Sequence, residues 1–110
     1  MNAKSDNSNL TEITTLQHIC SMDFQINPEE NPEHKNFKDV IVWLQKEIQY
    51  LLDNNFEKLL NIMYRIDIGE DRFREALSNQ RSKDISYELA ELVVERELQK
   101  VRSRKKYQSK

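Results

Sequence analysis

The sequence predicts an all-α protein: a small bundle of three to four helices with a long C-terminal helix and a partly ordered N-terminal arm. Three observations carry that expectation. One glycine and two prolines in 110 residues are too few for a sheet protein, whose turns consume both. Apolar residues between 37 and 101 recur at three- and four-residue spacing, the period that gathers them on one face of an α-helix. Short polar breaks join the segments so marked, which favours antiparallel packing of successive helices. A chain of 110 residues fits one domain.

Residues 1–36 read as a flexible arm. They are rich in Asn, Ser, Thr and Glu, and both prolines, Pro28 and Pro32, fall among them. Leu10, Ile13, Leu16 and Ile19 recur every three residues, which predicts a short helix at about 9–20. Met22, Phe24 and Ile26 then alternate as an extended strip would. NPEENPEH at 27–34 reads as a linker, because proline disfavours helix in the residue before it.

A bundle is expected over 37–101. Phe37, Val40, Ile41, Leu44, Ile48, Leu51 and Leu52 lie on one broad face of a helix at about 37–53, with Lys38, Asp39, Lys46 and Glu47 outward. Asp53-Asn54-Asn55 breaks the pattern. Phe56, Leu59, Leu60, Met63 and Ile66 mark a second helix at about 55–66. Gly69 lies at the next break. Glu70 and Asp71 suit the positive end of a helix dipole, so a short helix follows at about 70–78, burying Phe73, Ala76 and Leu77. After SNQRSKD at 78–84, the longest helix runs from about 84 to 105. Its inward stripe is Ile85, Leu89, Leu92 and Val93, widened by Val94, Leu98 and Val101. The apolar pattern stops at Val101, so residues 102–110 are expected to project as a basic helix end and tail.

Composition narrows the setting. A single cysteine excludes an internal disulfide framework and suits a reducing compartment. MNAKSDNSNL has no apolar core of the kind a secretory signal needs, and the longest apolar run, VIVWL at 40–44, is far short of a membrane span. A cytoplasmic protein is expected. The formal net charge is −2, but residues 98–110 hold six of the seventeen basic residues and none of the nineteen acidic ones, leaving a net of −8 on residues 1–97. Charge is segregated along the chain.

Candidate chemistry is thin. His18 and Cys20 are two apart, which on a helix puts them on different faces, so Cys20 reads as an ordinary semi-buried thiol. Neither histidine has a glutamate three residues before it, which excludes the Glu-x-x-His pairs of di-iron bundles. Glu29, Glu30, Glu33 and His34 read as a solvated acidic loop. Asp67, Glu70 and Asp71 lack the alternation and terminal glutamate of a calcium loop, and helix capping accounts for them. Glu88, Glu91 and Glu95 form a carboxylate ridge with no histidine partner and no phosphate-cradling glycine loop. Trp43, one residue off its helix's main stripe, reads as bundle-edge packing. No catalytic residue, metal ligand or cofactor site is expected.

The stretch LLNIMYRIDIGEDRFREAL at 59–77, followed by DISYELAELVVERELQKVRSRKKY at 84–107, resembles a group of small all-helical bacterial proteins of unknown function. The resemblance covers roughly the C-terminal half of the chain. It implies a helical fold and a bacterial cytoplasmic origin, and brings no activity, cofactor or site residue with it.

A bundle this small buries little, and its last helix carries more apolar surface than three short neighbours need. Self-association, or packing of residues 9–26 across that surface, would cover it. The expected function is therefore a non-enzymatic protein–protein interaction module, self-associating as a homo-oligomer. Its interface candidates are Leu10, Ile13, Leu16 and Ile19 on the arm, and Leu92, Val94, Leu98 and Val101 on the last helix. The alternative is a nucleic-acid-associated protein gripping phosphates through Lys100, Arg102, Arg104, Lys105 and Lys106, with Tyr107 placed to stack. A role at a membrane surface or with a small-molecule substrate is not expected.

Overall fold

The computed structural model of the chain describes residues 3–27, 35–78 and 84–108, with side chains described from residue 10 to residue 105. The fold is all-α. Among the described residues five helices follow one another: α1 (Ala3–Phe24), α2 (Phe37–Asn54), α3 (Phe56–Ile66), α4 (Glu70–Ser78) and α5 (Ile85–Gln108). α2 and α5 share the most extensive contact, α1 lies against both, and α3 and α4 close one end of the bundle. The linker at 28–34, with Pro28, Pro32, Glu29, Glu30, Glu33 and His34, lies outside the described residues, as do 79–83.

The largest departure from expectation is α1. In place of a helix at 9–20 and an extended strip beyond it, one helix of 22 residues runs to Phe24. It is part of the bundle. Ile13, Leu16, Cys20 and Phe24 are all buried, and their steps of three, four and four residues trace one helical face. α1 ends at Gln25, whose φ of 58° is left-handed. The Gln25 N–H donates to Met22 O and the Ile26 N–H to Ser21 O, the Schellman pattern usually built on glycine. The half-buried Ile26 packs against the core beyond it.

The remaining helices follow from their sequences. Asn36 caps α2 by accepting from the Asp39 N–H at 2.8 Å, while Asp39 Oδ2 accepts from the Lys35 N–H. Val40, Leu44, Ile48 and Leu51 are its buried stripe. Asn55 then serves two helices: its N–H closes α2 on Leu51 O, and its side chain opens α3 by accepting from the Lys58 N–H. α3 buries Leu59, Ile62, Met63 and Ile66 and stops at Asp67, a second left-handed residue with φ 73°. Phe73 and Ala76 anchor α4. α5 is fixed at its start by Asp84, which accepts from Ser86 Oγ and from Gln45 Nε2 of α2. Leu89, Ala90, Val93 and Val94 carry α5 into the core. The apolar face ends near Val101 as expected, but α5 stays helical to Gln108.

Candidate docking site

α1 takes up much of the surface that the sequence left for a partner. Ile13 and Leu16 are buried in the chain's own core, and so is Val94 on α5; these three proposed interface residues hold the protein to itself. Ile19 and Val101 are half-buried and Leu10 is exposed. The arm is therefore corrected from a free segment to an integral helix. The physical reason is the apolar excess of α5, which α1 covers.

Two polar contacts fasten α1 to α5. Glu12, nearly buried, accepts from Arg102 Nε at 2.9 Å and from Nη2 at 3.0 Å, a bidentate pair of the stronger kind. The Arg102 hydrogen bond holds the Glu12 carboxyl below its ordinary range, and the same bond raises the guanidinium. Further along, Glu97 of α5 is 3% exposed and hydrogen-bonded to Asp23 of α1. Burial, reinforced by Asp23, pushes its carboxyl up to about 8 against the pull of Lys100, whose Nζ lies 3.7 Å away. The Cys20 thiol beside them is buried and pushed upward by that burial, with Glu97 and Asp23 adding to it. A thiol held neutral is a poor nucleophile. His18 is exposed on another face of the same helix.

What α1 does not cover is an open groove of about 440 Å³ along the first half of α5. Its walls are Phe37 and Ile41 from α2 and Leu92, Val94 and Leu98 from α5, with Arg72 of α4 at the edge. The carboxylate ridge forms its rim: Glu88, Glu91 and Glu95 all border it. Glu95 meets Arg72 at 3.5 Å in an exposed pair, and Glu91 is exposed. Two of the predicted interface residues, Leu92 and Leu98, thus line the groove half-buried.

A second apolar surface lies on α3 and was not singled out from the sequence. Phe56, Leu60 and Tyr64 are exposed, Tyr64 at 86%, and Leu60 and Tyr64 border an open cleft of about 390 Å³ with Met63, Ile68 and Phe73. Phe56 stacks on Phe73 with ring centroids 6.4 Å apart. The spacing 56-60-64 was legible. It could not be told from the buried stripe beside it.

One cation of the basic end is neutralised, since Arg102 is held by Glu12; Lys100 lies beside Glu97, and Arg104 and Lys105 are exposed. The side chains of Lys106 and Tyr107 lie outside the described residues. Asp67 caps the end of α3 and pairs with Arg96 at 3.2 Å; Glu70 and Asp71 pair with Arg74. Among the described residues no three His, Cys, Asp or Glu side chains converge as metal ligands, and no helix is long and apolar enough to cross a membrane. Trp43 is half-buried at the edge of the core. No protein-family model, curated protein or solved structure matches the chain.

Proposed function

We propose that the chain is a non-enzymatic, cytoplasmic helical module that works by docking to protein, first of all to a second copy of itself. The observation that supports this best is the groove on α5. Half-buried Phe37, Ile41, Leu92 and Leu98 form an apolar floor that α1 leaves open, inside an acidic rim. Apolar grooves rimmed by charge are what helix-in-groove association uses. A grip on nucleic acid has less support, because Arg102 already serves Glu12, and residues 1–97 carry a net of −8 that repels a polyanion.

Sedimentation velocity on the full chain across a hundredfold range of concentration tests the reading. A reversible oligomer is expected, and Leu98→Asn should weaken it while the far-ultraviolet circular dichroism stays helical. A wild-type chain that stays monomeric throughout would rule out self-association.

A further inference from the structure

Charge along α5 is self-complementary, and we infer that the second copy lies antiparallel across α5 with the two-fold axis beside Leu98. This rests on the self-association reading above and specifies its geometry. Residues seven apart on an α-helix share a face, two turns and about 10 Å along the axis. Glu91 lies seven residues before Leu98 and Lys105 seven after it, both exposed. Glu95 and Arg102, also exposed, are seven apart on the neighbouring line. The strip of surface through Leu98 therefore changes sign there, acidic toward the start of α5 and basic toward its end.

An antiparallel copy reverses that order. About an axis at Leu98, Glu91 of each copy is level with the second copy's Lys105. Glu95 falls within one residue of the second copy's Arg102. The arrangement is isologous and closes at two chains. A parallel copy in register would oppose Glu91 to Glu91 and Lys105 to Lys105, and like charges facing one another are unfavourable. Arg102 can serve both neighbours, since Glu12 takes Nε and Nη2 and 55% of the side chain is exposed. Glu95 is free to shift, because its pairing with Arg72 is between exposed groups and such pairs are weak. Apolar contact comes from Leu98 of each copy, which meets the other's groove beside Ile41 and Phe37.

The helix dipole offers a rival account of acids early and bases late. That effect fades beyond the first and last turns, and Glu91, Glu95 and Arg102 all lie inside those limits in a helix running from Ile85 to Gln108. The dipole does not account for them; Glu95 and Arg102 also have partners within the chain, in Arg72 and Glu12, so Glu91 is the charge that pairing between copies explains.

The test is charge reversal followed by mixing, read by sedimentation velocity at low and at physiological salt. Glu91→Lys and Lys105→Glu, both at exposed positions, should each raise the dimer dissociation constant by about tenfold or more. Mixed in equal amounts they should recover a dimer within a few-fold of wild type, because the introduced lysine of one variant then meets the native Lys105 site of the other, now a glutamate, while the native Glu91 and Lys105 pair across the second contact. Independently of charge, Leu98→Cys should form an intermolecular disulfide on mild oxidation, which needs Cβ atoms about 4 Å apart. A wild-type dimer indifferent to both reversals, or one that Leu98→Cys does not cross-link, would overturn the antiparallel register and leave self-association standing. A wild-type monomer at every concentration would overturn both.

Discussion

Glu97 makes the stability of this fold depend on pH in an unusual direction. Its carboxyl is held up at about 8 against an ordinary 4.5, by burial first and by Asp23 second. The groups that face it are Cys20 and Asp23 from α1 and Lys100 from its own helix; Arg65 of α3 reaches only the Asp23 carbonyl oxygen, at 3.5 Å. Because the folded carboxyl binds its proton more tightly than the unfolded one, the folded state carries more protons between the two values, and stability falls as pH rises. The contribution is complete below pH 4.5 and gone once pH passes about 8. At 1.36 kcal/mol per unit, the loss between pH 5 and pH 7 is about 2–3 kcal/mol, a large share of the stability of a small domain. Glu97→Gln replaces the protonated acid with a neutral side chain that still donates to Asp23. Urea denaturation at pH 5, 6 and 7, below the range where a free thiol ionises, should show wild-type stability falling steadily and that of the Glu97→Gln variant nearly level. Equal slopes for the two proteins, or a flat wild-type profile, would mean that Glu97 is not the proton-linked group.

Four further outcomes follow from the way α1 is attached. Leu16→Ala, at a fully buried position, should cost about 2–5 kcal/mol by chemical denaturation, where a detached arm would lose almost nothing. Arg102→Ala should cost about 1 kcal/mol and speed hydrogen exchange of α1 amides relative to those of α2. Because the Glu12 carboxyl is lowered, the stability that this pair lends is present above its ordinary value of 4.5 and should fade as pH drops below it. Gln25→Gly should raise stability by about 1 kcal/mol, since glycine accepts the left-handed conformation that strains glutamine; calorimetry should place its melting temperature about 4–8 °C above wild type.

How much of this was readable beforehand depends on the helix. For α2 and α4 the apolar spacing carried both the element and its buried face, because one side of each is apolar and the other is not. α1 was shortened for two reasons. Reading Leu10, Ile13, Leu16 and Ile19 as the stripe gives a period of three, whereas the buried line is Ile13, Leu16, Cys20 and Phe24, which requires counting Cys20 as apolar. The Asn- and Ser-rich start also has low intrinsic helix propensity, yet α1 begins at Ala3. α3 is apolar on two adjoining lines, so its sequence named the helix but not which line faces inward. Glu97 was least legible of all. Nothing distinguishes it from Glu91 or Glu95 except that its direction from the helix axis is inward, among Ala90, Val93 and Val94. The groove had a partial signature in Leu92 and Leu98; its other wall, Phe37 and Ile41, belongs to a helix distant in sequence.

The junction at Asn55 sets a strict rule for chain length. One residue ends α2 and begins α3, so no slack separates them. Inserting a single residue there would turn α3 by about 100° relative to α2. The line presented to the core would pass from Leu59, Ile62, Met63 and Ile66 toward Lys58, Asn61, Ile62 and Arg65, bringing two cations and an amide inward. Among descendants of this chain, insertions and deletions should therefore be selected against at 55, even where substitutions of the asparagine itself survive. The corner acts as a ruler whose length lineages can change only together with the face of the helix that follows it.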